Sequence, residues 1–273
     1  MTRRAPGFII PLQKGEHMHL RRTIVLLLAA AATLAAADNP FIGKWKENPV
    51  KDDYTHITLT YDQTPPGEIE VTAEGQSYKF RMDGKEYPTG LGSVVAWKQI
   101  DGSTWETVRK TNGILDWTTT TKLSPDGKTM MVTEKGKGSN GEPFEDNETY
   151  QRVSGGPGLA GKWKLVQWKF GSAFVMEIAP NEGDGITWRF PWNAILHAKF
   201  DSKDYAVTGP STPPGFTIAL KRTGPRSFNE VQKINGKVVY AGTVRVSADG
   251  KTLTEVLTPP GANGKTKTVY DRQ

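Results

Sequence analysis

The chain has 273 residues, 35 basic against 29 acidic side chains, eight tryptophans and no cysteine. The missing thiols exclude disulfides, thiolate catalysis and cysteine-held metals or lipids. Five basic residues (Arg3, Arg4, Lys14, Arg21, Arg22) and one acid (Glu16) fall in the first 37 positions, so the remainder carries 30 basic against 28 acidic groups and offers no clustered basic face for nucleic acid.

Those first positions have the parts of a secretory signal peptide. Arg21 and Arg22 precede the apolar run Ile24–Leu28, which continues through alanines to Ala37 and breaks at Asp38-Asn39-Pro40. An apolar run of about 14 residues is too short for a bilayer that needs roughly 20. Residues 1–37 are therefore expected to be removed, with Met18 as an alternative start, leaving a mature chain with no transmembrane segment, periplasmic or extracellular. The residues around Arg21-Arg22 fit twin-arginine export poorly, and the export route stays open.

From residue 38 onward the sequence repeats itself. Gly43-Lys44-Trp45-Lys46 recurs as Gly161-Lys162-Trp163-Lys164, and Asp83-Gly84-Lys85-Glu86-Tyr87 as Asp201-Ser202-Lys203-Asp204-Tyr205. Lys110-Thr111-Asn112-Gly113 recurs as Lys233-Ile234-Asn235-Gly236, and Ser124-Pro125-Asp126-Gly127-Lys128-Thr129 as Ser247-Ala248-Asp249-Gly250-Lys251-Thr252. Tyr150-Gln151-Arg152 closes the first copy as Tyr270-Asp271-Arg272 closes the second. Matches in one order at nearly constant offset mean a tandem duplication. Copy one spans 38–153, a glycine-rich linker 154–160, and copy two 161–273.

Each copy reads as a β meander. Ile57, Leu59 and Tyr61 alternate onto one face, as do Ile69, Val71 and Ala73, then Tyr78, Phe80 and Met82. Asp101-Gly102 and Asn112-Gly113 separate the runs Val94–Ile100, Thr104–Arg109 and Ile114–Leu123, and such dipeptides favour tight hairpins because type I′ turns need positive φ at both central positions. No amphipathic helix of useful length is present; Pro191–Phe200 is ambiguous and by the repeat should be strand in its second half. The fold class is all-β, with two tandem small antiparallel up-and-down barrels of eight or nine strands each. A β-sandwich is the alternative, disfavoured by the run of sequential hairpins.

Gly43-x-Trp45 and Gly161-x-Trp163, each with an arginine in the copy's last strand, resemble the calycins, the superfamily of lipocalins and fatty-acid-binding proteins. The resemblance implies that each tryptophan closes one barrel end with an arginine packed over it, Arg152 on Trp45 and Arg272 on Trp163. Each copy is shorter than a typical lipocalin. The arginine follows its tyrosine here, so the carboxylate clamp of fatty-acid-binding proteins is not carried over. Asp83-Gly84-Lys85-Glu86-Tyr87-Pro88-Thr89-Gly90, with Ser124-Pro125-Asp126-Gly127-Lys128-Thr129, also resembles a domain of exported soil-type bacterial proteins. That likeness implies a lipocalin-like fold and assigns no activity.

Chemistry is argued mainly from what is missing. The mature chain has two histidines, His56 and His197, at non-equivalent places; neither has neighbours at ligand spacing, so no metal site and no cofactor is expected. His56 alternates opposite Ile57 and Leu59 and should face solvent. No G-x-S-x-G hydrolase motif occurs. Glu145-Asp146 and Asp52-Asp53 read as solvated loop charge. Aromatics are in excess. Trp45 and Trp163 belong to the repeat, and Trp105 matches Phe228 as a shared core position. Trp97, Trp117, Trp168, Trp188 and Trp192 have no clear counterpart, and such side chains either fill a barrel or line a concavity. If Trp105 points inward, alternation carries Arg109 in with it, where a ligand carboxylate or Glu134 could meet it; Gln232 replaces Arg109 in the second copy.

The candidate ligand-binding set is Tyr78, Trp97, Trp105, Arg109, Trp117, Trp188 and Trp192. The structural set is Gly43, Trp45, Arg152, Gly161, Trp163 and Arg272. The expected function is non-enzymatic binding of a small hydrophobic or aromatic ligand in one or both barrels. An envelope interaction protein with filled barrels is the alternative, an enzyme working without histidine, cysteine or metal comes third, and protein partners stay open.

Overall fold

The computed structural model describes residues 39–54, 56–64, 67–138, 141–171, 174–262 and 264–273. The leader expected over 1–37, with Met18, lies outside them. All regular elements of the described residues are strands. The first copy contributes β1 (Gly43–Glu47), β2 (Thr58–Thr64), β3 (Glu68–Ala73), β4 (Gln76–Phe80), β5 (Asp83–Pro88), β6 (Ser93–Gln99), β7 (Thr104–Thr111), β8 (Ile114–Leu123), β9 (Thr129–Lys137) and β10 (Pro143–Ser154). The second contributes β11 (Gly161–Lys169), β12 (Val175–Pro180), β13 (Ile186–Arg189), β14 (Ile195–Ala198), β15 (Asp201–Thr208), β16 (Phe216–Gly224), β17 (Ser227–Ile234), β18 (Lys237–Val246), β19 (Thr252–Thr258) and β20 (Thr266–Arg272). Each copy thus has ten strands where eight or nine were expected. The ambiguous stretch after Pro191 holds β14 in its second half.

The turns follow backbone chemistry. Asn112-Gly113 and Asn235-Gly236 both have positive φ at the two central positions (53° and 76°, 49° and 78°), the type I′ geometry their side chains tolerate. Glu74-Gly75 adopts the same geometry (49° and 77°) without an asparagine to announce it.

Two ten-stranded antiparallel sheets result, and they do not follow the repeat boundaries. One is a closed barrel ordered β1-β12-β13-β14-β15-β16-β17-β18-β19-β20; the other runs β4-β3-β2-β11-β10-β9-β8-β7-β6-β5 and is nearly closed, with a seam between β4 and β5. The two opening strands have changed places. β1 pairs with β12 through Lys44↔Glu177 and with β20 through Trp45↔Arg272. β11 pairs with β2 through Lys162↔Thr60 and with β10 through Arg152↔Trp163. The linker explains the second placement. Only residues 155–160 separate β10 from β11, so the chain turns back on β10 as a hairpin loop does and β11 takes the slot that β1 would fill. β1 is then left to close the other barrel.

This exchange corrects the expected tryptophan–arginine pairs. The Arg152 guanidinium lies 4.0 Å over Trp163, and that of Arg272 lies 4.1 Å over Trp45. Each arginine also straps the loop ahead of its tryptophan to a neighbouring hairpin turn: Arg152 donates to the Gly156, Gly158 and Ala160 carbonyls and to Gly127 of the β8–β9 turn, and Arg272 to those of Pro40 and Ile42 and to Gly250 of the β18–β19 turn, all at 2.6–2.7 Å. Both indole N–H groups donate to a carbonyl four residues back, Trp45 to Phe41 and Trp163 to Leu159, at 2.8 Å. The glycine of each motif is required by crowding. A Cβ on Gly43 (φ +148°) would stand 2.6 Å from Arg272 Nη1, and one on Gly161 (φ +115°) would overlap the Ser154 carbonyl oxygen.

Two packed cores hold the sheets. Trp45, Trp188, Phe41, Phe228, Leu196 and Leu220 belong to that of the closed barrel, and Trp163, Trp97, Trp105, Phe80, Met130 and Tyr150 to that of the nearly closed one. Gln76 on the seam strand β4 donates to the Val239 carbonyl at 3.3 Å, and Asn112 in the β7–β8 turn donates to the carbonyls of Pro210 and Thr212. No helix among the described residues is long and apolar enough to cross a membrane.

Because β1 stands in the closed barrel, Trp45→Ala should lower stability by about 3–5 kcal/mol, the usual range for a buried tryptophan. Hydrogen exchange should rise in β12 and β20, both second-copy strands, while β2 and β10 change little. The reverse pattern would mean that β1 pairs within its own copy.

Candidate functional site

The interior of the nearly closed barrel changes character along its axis. β7 turns Trp105, Thr107, Arg109 and Thr111 to one face; Trp105 and Thr107 are buried, and Arg109 reaches a cavity of about 500 Å³. Alternation has therefore carried the arginine inward behind Trp105. The β7–β8 ladder shifts register here, pairing Arg109 with Trp117 but Lys110 with Leu115, so Asp116 is an extra, bulged residue. Its carboxylate is 8 % exposed, accepts the Thr111 hydroxyl at 2.7 Å and lies 3.6 Å from Arg109 Nε. The guanidinium sits 4.4 Å above the Trp117 ring.

Acids line the cavity farther along the same sheet. Glu134 on β9 is in register with Asp146 on β10, and Glu148, two residues on, is in register with Trp168 on β11. Both barrels supply the cavity. The nearly closed barrel provides Arg109, Trp117, Glu134, Asp146 and Trp168; the closed barrel provides Glu47, Tyr270 and Phe216. The turn at Pro191-Trp192-Asn193 borders it. Trp192 is half exposed and ends a stack in which Phe190 lies 4.7 Å from it and 4.8 Å from buried Trp188.

Of the candidate ligand-binding residues, Arg109, Trp117 and Trp192 come together at this cavity. Trp97 stacks on Phe80 at 4.6 Å and is buried, as are Trp105 and Trp188, so these three pack the barrel interiors. Tyr78 packs beside that core, 5.8 Å from Phe80. Sequence reasoning named Trp168 as able to line a concavity but left it out of the candidate set, and it missed Glu47, Asp146 and Tyr270 as lining residues. Glu47 carried a signal, since it lies two residues after inward-facing Trp45 on a strand.

Two readings of charge are overturned. Asp52 and Asp146 are not solvated loop acids: they tie down the chain where it crosses between sheets. Asp146 is buried and accepts the Gly171 N–H at 2.8 Å, and Asp52 accepts the Val269 N–H at 2.6 Å. His56 does not face open solvent either; its side chain is 23 % exposed and its Nε2 lies 3.3 Å from Glu74, beside a smaller cavity of about 280 Å³.

Burial dominates the electrostatics. It pushes the Glu134 carboxyl up to about 8, helped by Glu148 and Asp146 and opposed by Arg109. Burial, then Asp52, raises Glu47 to about 7, against the hydrogen bond from Tyr54. Burial also raises Asp52 to about 6, opposed by the Val269 N–H. It lifts Asp146 and Glu148, and lowers Arg109 against the pull of Asp116 and Glu134. Inside the closed barrel, where Gln232 replaces the arginine, Glu230 and Glu255 form a second buried acidic pair, both raised by burial first. Among the described residues no three histidine, aspartate or glutamate side chains come together as a metal site. The cavity therefore offers aromatic faces, one guanidinium whose Nε has no hydrogen-bond partner, and carboxyls that can hold protons near neutrality.

No protein-family model, curated protein or solved structure matches the chain.

Glu134 and Glu47 bind protons more tightly folded than at their ordinary value of 4.5. Their contribution to stability is complete below that value and is lost as pH rises through about 7 and about 8. The urea midpoint should therefore climb as pH falls from about 8 to about 5, and Glu134→Gln should flatten the climb and raise stability at the alkaline end. A flat wild-type profile, or one rising with pH over that window, would contradict the buried-carboxyl assignment.

Proposed function

We propose that the chain is an exported binding protein of lipocalin-like construction that takes a small, partly apolar ligand into the chamber between the two barrels. The cavity of about 500 Å³ carries this reading, because Trp117, Trp168 and Trp192 border it beside Arg109 and Glu134. A few convergent polar groups among aromatic faces are the usual make-up of a small-molecule site. The closed barrel favours the junction over its own interior, which is packed by Trp45, Trp188, Phe41 and Phe228. Export draws on the leader-like residues 1–37. The lipocalin-like relationship draws on the repeated Gly-x-Trp and on an arginine over each tryptophan.

A second reading, acid–base catalysis, is favoured by one observation: Glu134 and Glu47 are raised to about 8 and about 7 at one cavity. Turnover of a hydrolysable ligand that stops with Glu134→Gln would select it.

The test is native mass spectrometry of the mature chain from its own compartment, followed by organic extraction and a tryptophan-fluorescence titration with whatever is released. A stoichiometric small molecule is expected. Trp192→Ala should weaken its binding about tenfold, near 1.4 kcal/mol, whereas Trp188→Ala should lower stability by about 3–5 kcal/mol. A clean apo mass, with no fluorescence response to lipid and aromatic panels, would overturn the proposal.

A further inference from the structure

We infer that the ligand of the junction chamber carries a positively charged ammonium group, seated against Glu47, Glu134 and Asp146 among the aromatic side chains of Phe144, Phe174 and Tyr270. The inference rests on reading the chamber as a ligand site and adds the charge of its occupant. Four carboxyls line the cavity, Glu47, Asp116, Glu134 and Asp146, against the two cations Arg109 and Lys137. Arg109 lies 3.6 Å from Asp116 and over the face of Trp117, so its charge is drawn toward that side of the cavity. None of Glu47, Glu134 and Asp146 forms an ion pair with a described residue, and Glu148 stands behind them in register with Trp168. The wall is thus short of positive charge where it is most buried.

Separate observations point to an occupant. The Asp116 side chain is more than nine-tenths buried and lines the cavity, yet its Oδ1 has no hydrogen-bond partner. Polar atoms taken from water without partners are costly, and a bound molecule or its water shell would meet them. Around the acids stand Phe144, Phe174 and Tyr270, while Trp168 packs on Phe170 and Tyr54 at 4.7 Å. Carboxylates with aromatic faces are the surroundings in which ammonium groups are recognised, since each ring presents a negative face to the cation. A neutral or anionic group placed there would leave the acids to escape their mutual repulsion only by keeping protons.

Binding would then be linked to pH through Glu134. The titratable and charged groups around it are Asp146 and Glu148 from β10, Arg109 from β7, Asp116 from β8, Glu47 from β1, Tyr270 from β20 and Lys137 from its own strand. Without ligand the Glu134 carboxyl keeps its proton up to about 8. An arriving ammonium stabilises the carboxylate, so the proton leaves to solvent and affinity grows with pH through that range.

The experiment uses three probes on the mature chain: benzyltrimethylammonium, its uncharged carbon isostere neopentylbenzene, and phenylacetate. Binding is read by tryptophan fluorescence and calorimetry at pH 6 and pH 8.5. The ammonium should bind at least tenfold tighter than the isostere at pH 8.5, with proton release. That preference should shrink severalfold at pH 6 and in Glu134→Gln or Asp146→Asn, each checked for an intact thermal transition. Equal binding of ammonium and isostere would overturn the inference and leave the chamber as a ligand site. Preference for phenylacetate would also overturn it and assign Arg109 as an anion anchor. Binding of none of the three, up to their solubility limits, would sink both the inference and the chamber.

Discussion

A six-residue linker decides how this molecule is put together. With only residues 155–160 between β10 and β11, the second copy's opening strand cannot leave the sheet it has just entered. It folds back on β10 and fills the slot beside β2, and the first copy's β1 closes the other barrel. Loss of the short connection's freedom is small beside what the exchange retains, because each arginine still covers a tryptophan and each indole still reaches the carbonyl four residues back. The repeated motif makes the strands interchangeable, and connection length selects between the two arrangements.

Exchange ties the barrels together at their mouths, and the chamber is a consequence of that. The chain crosses between sheets after β1 and after β11, and at each crossing an aspartate holds a backbone N–H, half-buried Asp52 that of Val269 and buried Asp146 that of Gly171. Glu47 ends β1 at the same place and accepts from Tyr54 at 3.3 Å. Glu47 and Asp146 thereby meet at one cavity; burial lifts both of them and Asp52, and the two aspartates push Glu47 further toward neutral pH. The same carboxyls make the junction sensitive to pH and receptive to positive charge.

Much of the fold was legible, and for local reasons. Alternation and Asn-Gly turns pointed to the meander, and the duplication set ten strands against ten. Arg109 could be placed inside from Trp105 alone, because period-two geometry allows no other choice on a regular strand. Which tryptophans pack and which line a cavity could not be read: Trp97 and Trp117 occupy similar strand positions, but one stacks on Phe80 while the other lies under Arg109 near the barrel mouth. Asp52 and Asp146 looked like solvated charge since only long-range crossings bury them. The exchanged pairing of Trp45 with Arg272 was hidden for a similar reason, as both arrangements use the same residues in the same register and differ only in which copy supplies them.

The exchange can be tested directly in a chain that has no native cysteine to interfere. Lys44→Cys with Glu177→Cys joins register partners on β1 and β12, whereas Lys44→Cys with Thr60→Cys joins the positions that would pair if β1 held the slot Lys162 occupies on β11. Under mild oxidation the first pair should form an intramolecular disulfide readily and without loss of the folded state, and the second should stay reduced. Rapid closure of the second pair, with the first left free, would show that each copy keeps its own opening strand and would contradict the account.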